Sequence, residues 1–239
     1  MKSYSYLDLL ALLGISGAHP GGFSLTKQLL SYLQITPQMN ILDAGCGTGQ
    51  TAIYLAKQYG CNVTAFDINP VMLEKAANRA RREGVKMQFV QGNIESLPFP
   101  HDFFDILISE SVLVFANIEK ALEEMQRVLT GGGRIAAIEM TVERPLHLQE
   151  QRELTGVYSV NSYLTERQWT ELFVRIGFSE VKVLGGGNIA STIHFATEQP
   201  EFDISPHLNP EIYQIWHEHE AIIMKYAHLL GHRVFLCSK

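Results

Sequence analysis

The chain has 239 residues, 46% of them hydrophobic and 18% charged, which suits one α/β domain with a sizeable core and excludes an extended disordered protein. A formal charge of -6 without a long basic run argues against a phosphate-backbone partner, so no nucleic acid is expected and a small-molecule substrate is the default. Cys46, Cys61 and Cys237 lack metal-ligand spacing, and no run approaches the roughly 18 apolar residues that span a bilayer, so a reducing, cytoplasmic setting without membrane attachment is expected.

Residues 4–13 place Leu7, Leu10 and Leu13 at helical intervals. The apolar stretch Leu7 to Ile15 is interrupted by Asp8 and followed by no clean cleavage site, so it reads as helix rather than secretion signal. After a loop holding His19-Pro20-Gly21-Gly22, a second helix is predicted over 24–33, with Thr26 helping to cap its start and Pro37 closing it. From Ile41 onward strand and helix patterns alternate, the signature of a mostly parallel sheet covered on both faces. Strands are predicted at 41–44, 62–67, 86–91, 104–109 and 133–139, with helices at 50–59, 70–83 and 117–129. The segment 141–163 shows little periodicity and reads as an irregular insertion and candidate lid carrying Tyr158 and Tyr163. Thr165 to Gln168 forms a capping box for a helix that stops at Gly177. Val181 to Leu184 follows as a sixth strand, then a break at Gly185-Gly186-Gly187, a helix over 210–230 and a seventh strand over Arg233 to Cys237.

In an open parallel sheet, ligands bind beyond the carboxyl ends of the strands. Polar groups gather there: Asp43 to Gly49 after strand one, Asp67 at the end of strand two, Asn93 to Glu95 after strand three, and Ser109-Glu110 at the end of strand four. The turn Gly45-Cys46-Gly47-Thr48-Gly49 opens a helix, where glycines let backbone N–H groups face a small polar ligand. A dinucleotide turn needs a third glycine where Gln50 stands, and Asp43 suits a ligand with positive character better than a pyrophosphate.

The blocks ILDAGCGTG, AFDINPVML and GNIESLPFPHDFFDILISESVLVF, in that order, resemble the class I S-adenosylmethionine-dependent methyltransferases over roughly residues 39 to 184. The resemblance implies a Rossmann-like, doubly wound, seven-stranded, mostly parallel sheet with an antiparallel last strand. It implies S-adenosyl-L-methionine as cofactor and S-adenosyl-L-homocysteine as product. Gly45, Cys46, Gly47, Thr48 and Gly49 would enclose the methionyl part and ribose, Asp43 would lie near the amino group, and Asp67 would accept both ribose hydroxyls. Ile68 and Met72 would pack on the adenine, with Asn93, Ile94 and Glu95 at its rim and Ser109 at the end of the fourth strand. The family commonly has Asp where Asn93 stands; an amide oxygen accepts the same hydrogen bond.

Methyl transfer from a sulfonium needs alignment and water exclusion more than a base. For an acceptor that must lose a proton, His19, Glu110 and Glu139 are the candidates, each with a structural alternative: a loop cap, a strand-end turn or an ion pair. The AHPGGF segment resembles the N-terminal HPGG of some small-molecule and quinone-type members, which would fold it over the cofactor and set Phe23 in the acceptor pocket; a plain turn is the alternative. Phe23, Tyr158 and Tyr163 are the substrate candidates. His217, His219, His228 and His232 lack an H-E-x-x-H spacing, so no metal is expected and solvated or cap-region histidines are the reading. The expected organisation is a helical cap over 1–38, a cofactor core over 39–184, and a helical insertion with the final strand over 185–239. A small organic acceptor, apolar or aromatic, fits best; a non-catalytic S-adenosylmethionine-binding protein and an NAD(P)-dependent oxidoreductase are the alternatives.

Overall fold

The short apolar run at Ile41-Leu42 becomes β1 (Asn40–Ala44), buried along all but its first residue, as a strand covered on both faces must be. A computed structural model describes residues 4–160, 162–192 and 199–239. In it β1 pairs in parallel with β2 (Asn62–Asp67) and with β4 (Phe104–Glu110). β2 pairs with β3 (Gln88–Gln91), and β4 with β5 (Leu129–Val142), also in parallel. β7 (Leu230–Ser238) runs antiparallel between β5 and β6 (Glu180–Asn188), giving the order β3-β2-β1-β4-β5-β7-β6. The order reverses between β1 and β4, and this is where a crevice opens in such a sheet.

Each face of the sheet carries its own core. Ile41, Val63, Ala65, Ile106, Ile108, Ala136, Ile138 and Val234 pack with Leu29 and Leu30 of α2 (Gly22–Ser31), Ala52 and Leu55 of α3 (Gln50–Tyr59) and Leu73 of α4 (Pro70–Arg82). Leu42, Phe66, Leu107, Ile135, Ala137 and Phe235 pack the other way, against α5 (Ile118–Val128), α7 (Glu166–Ile176) and Leu154 and Tyr158 of α6 (Leu148–Tyr158). The short α8 (Ile189–Thr192) follows β6, and a third, smaller core joins α1 (Tyr6–Leu13) to α9 (Glu211–Lys225) through Leu9, Leu13, Ile15, Ile212 and Ile215. Residues 14–16 bridge to residues 201–203 in antiparallel fashion, through Ile15 and Phe202.

Four expectations are corrected. The insertion after β5 is not irregular: β5 continues to Val142 and α6 follows, held at its start by Glu150, which accepts from the His147 N–H at 2.8 Å. Its buried residues are Leu154 and Tyr158, so it leaves almost no apolar stripe in the sequence. Thr26 does not cap α2, whose cap position is Gly21 in a left-handed conformation; the Thr26 side chain is buried beneath the helix. Gly185-Gly186-Gly187 does not break the sixth strand, because β6 runs through it with an irregularity between Val183 and Gly185, paired to β7. Finally, α9 ends at Lys225, short of 230, and His232 lies in β7, where it is buried rather than solvated.

Candidate active site

The glycine turn is fixed from beneath. Gly45 and Cys46 both donate to the Phe66 carbonyl, at 2.7 and 3.0 Å, and the Gly47 N–H donates to Asp67 Oδ2 at 2.9 Å. Gly45 has φ +79° and lies so close to Val112 that a Cβ there would sit 2.3 Å from its side chain, so the position excludes other residues on both counts. Gly47, at φ +51°, faces open space: nothing lies within 4 Å of where its Cβ would be. The turn is thus closed on the protein side and open above.

Three carboxylates, Asp43, Asp67 and Glu110, lie at the carboxyl ends of β1, β2 and β4. Asp43, at the end of β1, is buried, and its Oδ2 has no hydrogen-bond partner. Burial, reinforced by Glu110 and Asp67, pushes its carboxyl well above the usual range, partly offset by the Ala52 N–H. Asp67 accepts from Gly47 and, through Oδ1, from the Asn69 N–H at 2.8 Å; burial raises its carboxyl too, against those two bonds and the Ile68 N–H. Each Asp67 oxygen keeps a lone pair for a ligand hydroxyl. Ile68 is 59% exposed beside it, an apolar surface left uncovered, while Met72 is buried at the start of α4. Asn93 Oδ1 accepts from the Glu95 N–H at 2.9 Å, and Glu95 Oε1 accepts from the Asn117 N–H at 2.8 Å. Those two side chains therefore shape the loop after β3, and Ile94 is buried within it. Cys46 and Thr48 are buried in the turn itself, with Thr48 Oγ1 2.7 Å from Ser16 Oγ.

Glu110, at the end of β4, anchors a polar row. Its Oε2 accepts from Thr51 Oγ1 at 2.6 Å, and its Oε1 from Thr26 Oγ1. His19 Nε2 lies 3.1 Å from Thr26 Oγ1 and 3.4 Å from Glu110 Oε1, while His19 Nδ1 faces the Pro20 carbonyl at 3.2 Å. The HPGG turn is thereby pinned to the sheet end, and both ring nitrogens of His19 are engaged. Phe23 follows it at the start of α2, its ring edge-on to Tyr54 at 5.3 Å.

Ser109 and Glu139 lie apart from this row. Both are fully buried, and Ser109 Oγ donates to Glu139 Oε1 at 2.7 Å, with the Val112 and Leu113 N–H groups at 3.5 and 3.4 Å. Ser109 pairs with Ala137 across the β4–β5 register, which sets it and Glu139 on the face opposite Glu110. Burial pushes the Glu139 carboxyl up to about 7, with those hydrogen bonds opposing and Glu110 adding to the rise. Tyr158 is buried against Tyr6 and His219, its hydroxyl 2.9 Å from His219 Nδ1, and burial raises the phenol while lowering the imidazole. Tyr163 packs half-buried on the same core. Depressions of about 450 Å³, over Arg81, Arg82 and Asp203, and about 270 Å³, between Tyr6 and Ser159, lie away from the glycine turn and have no residue of it in their walls.

Sequence reasoning missed four contributors. Thr51 reads as a helix residue and Thr26 as a helix cap, and no local signal marks a hydroxyl aimed at a carboxylate distant in sequence. Ser16, joined to Thr48 and to Arg79 Nη2 at 2.6 Å, sits in a loop whose partners come from α4 and the glycine turn. His232 did carry a signal: it alternates with Val234 on one face of β7, which marks a buried position.

Residues 41–133 match a family described as a methyltransferase domain. An uncharacterized methyltransferase, YodH of Bacillus subtilis (strain 168), is 34% identical over 234 residues, covering 98% of this chain and 99% of that one. The chain belongs to the methyltransferase family. Among solved structures, geranyl diphosphate methyltransferase in complex with S-adenosylmethionine shares the fold, with a TM-score of 0.69 at 16% identity, over 91% of this chain and 85% of that one. So does the cyclase SpnF, with a TM-score of 0.68 at 21% identity, over 95% and 86%. The protein is an S-adenosylmethionine-dependent methyltransferase, and its site suits that cofactor. The methyltransferase presents an orphaned buried carboxylate oxygen on Asp43, open space over Gly47 and a free apolar surface on Ile68, which match a cationic amino group, a close-lying backbone contact and a flat ring.

Proposed function

We propose that this methyltransferase acts on a small organic molecule of apolar or aromatic character, held between the HPGG turn and the segment after β5. The observation that supports this reading is the aromatic side chains on the two flanks: Phe23, edge-on to Tyr54, on the α2–α3 face, and Tyr158 and Tyr163, packed with Phe115, on the other. A net charge of -6 supports a small molecule over a nucleic acid, and three buried free cysteines suit a cytoplasmic setting. In this reading the 1–38 segment serves as a helical cap over the 39–184 core, and the 185–239 segment completes the same domain with a helical insertion and the final strand.

When bound, S-adenosylmethionine supplies a methyl group already activated on sulfur. The protein's part is to bind, orient and keep water out. In this reading Asp43 holds the amino group, Gly45 to Gly49 the methionyl part, Asp67 the ribose hydroxyls, and Ile68, Met72, Asn93, Ile94 and Glu95 the adenine. Ser109 acts from below through Glu139. His19 and Glu110, locked to Thr26 and Thr51, set the position of the HPGG turn. Glu139 supports the loop at Val112 and Leu113.

Incubation with methyl-labelled S-adenosylmethionine and a protein-free metabolite extract tests the reading. A labelled apolar or aromatic product is expected. Label recovered in protein or nucleic acid alone would overturn it, and tight cofactor binding without any labelled product would favour a non-catalytic role.

A further inference from the structure

His232 is the one histidine of β7, and its neighbours put it at the active end of the sheet. It pairs with Met140, one residue beyond Glu139, at the carboxyl end of parallel strand β5, and with Gly187 of β6 on its other side. Glu110 pairs with Ile138, Ile138 pairs with Val234, and His232 shares the face of Val234 because side chains alternate along a strand. Glu110 and His232 therefore project from the same face at the same end, two strands apart. His19, held at Glu110, is near enough to His232 to press its imidazole toward the neutral form. Thr51, Glu110, Thr26, His19 and His232 thus continue as one polar row along the strand ends.

Within that row His232 is the member left incomplete. Its side chain is buried, the residue being 3% exposed, and its Nδ1 has no hydrogen-bond partner. The Glu110 oxygens and both His19 nitrogens have theirs. A buried ring nitrogen left alone is costly, so folding by itself gives no reason for a histidine here. Burial first, then His19 and Arg233, hold the imidazole down to about 4, with Glu143 opposing, so near neutral pH one ring nitrogen carries a lone pair and no net charge develops beside a cationic methyl donor.

We propose that His232 Nδ1 accepts a hydrogen bond from the methyl acceptor, and that the acceptor is accordingly an apolar or aromatic molecule bearing an O–H or N–H donor. This rests on the methyltransferase reading of the site and adds a contact residue to it. Accepting that hydrogen bond points the O–H or N–H away from the methyl donor and leaves a heteroatom lone pair facing it; as the new bond to carbon formed and the carbon–sulfur bond broke, the released proton would pass along the same hydrogen bond to the neutral imidazole.

The test uses two substitutions. Asn places its Oδ1 where His carries Nδ1, one bond beyond Cγ, whereas Leu fills similar space with no acceptor. With the protein saturated by S-adenosylhomocysteine, binding of phenol and of its methyl ether, anisole, is measured by calorimetry. Wild type is expected to prefer phenol by about tenfold or more, the worth of one buried hydrogen bond. His232→Asn is expected to keep that preference and His232→Leu to abolish it. In thermal unfolding of the ligand-free protein, His232→Leu is expected to melt higher than wild type, because the unpaired nitrogen is gone. No preference for phenol in wild type, whether both probes bind or neither does, overturns the proposal, as does a His232→Leu protein that melts lower and still prefers phenol. Failure of S-adenosylhomocysteine itself to bind would instead strike at the methyltransferase reading.

Discussion

At the scale of single residues, the site is defined by carboxylates that differ in what they have been given. Asp67 receives two backbone N–H groups and remains poised to accept more, so Asp67→Ala is expected to weaken S-adenosylhomocysteine binding by more than about 1 kcal/mol; unchanged affinity in calorimetry would remove the ribose role. Glu139 receives a serine hydroxyl and two long backbone contacts in full burial, with Oε2 unpaired, and its carboxyl stands near 7 instead of 4.5. Because the folded value is the higher, the folded state holds the proton more tightly. Stability is full below about 4.5 and is lost as pH rises through about 7. Glu139→Gln imitates the protonated form and does not titrate. Its stability relative to wild type is therefore expected to improve by up to about 3 kcal/mol between pH 4.5 and pH 8, on 1.36 kcal/mol per unit. Urea denaturation at the two pH values measures this, and a constant difference would show that the carboxyl does not titrate on unfolding as argued.

At the scale of elements, a hydroxyl ties the glycine turn to the loop after α1. Ser16 Oγ meets Thr48 Oγ1 on one side and Arg79 Nη2 on the other, while Arg79 Nη1 reaches Glu201 at 2.9 Å and Lys75 reaches the Leu12 and Asp203 carbonyls. Ser16→Ala leaves a buried guanidinium short of a partner, a loss of about 1–3 kcal/mol. It is also expected to lower S-adenosylhomocysteine affinity severalfold, because Thr48 loses its brace. A stability loss with unaltered affinity would mean that the link holds the N-terminal segment alone. None of these contacts was legible in the sequence, since each joins residues from different parts of the chain. What was legible follows local rules. The strand-to-helix turn at Asp43 to Gly49, the Asn69-Pro70 start of α4 and the Thr165–Gln168 capping box all state their geometry in neighbouring residues. The α6 helix escaped notice because its buried residues are two and Gly156 lies within it, and the triple glycine of β6 imitates a break while pairing with β7 supplies the order. Thr26 likewise reads as a cap from its position and is recruited instead by Glu110 across the fold.

At the scale of the whole molecule, a ligand that joins the glycine turn, the β2 end and Asp43 must stabilise the fold as a unit. S-adenosylhomocysteine at about 100 times its dissociation constant adds about 2.7 kcal/mol. For a chain of this size that raises the melting temperature by roughly 5–10 °C, whereas NADH, lacking the glycine it needs at Gln50, is expected to give no shift. Proton linkage sharpens the test. Burial together with Glu110 and Asp67 keeps the Asp43 carboxyl protonated well above the usual range, and an ammonium placed on it favours the ionised form. Binding should therefore release a proton, so affinity rises with pH up to the free-state value of Asp43 and levels off beyond it. Calorimetry of S-adenosylhomocysteine in two buffers of different ionisation enthalpy reads the release directly. Asp43→Asn is expected to abolish it and to weaken binding at the higher pH values. Proton uptake, or a release that survives in Asp43→Asn, would place the amino group elsewhere in the crevice.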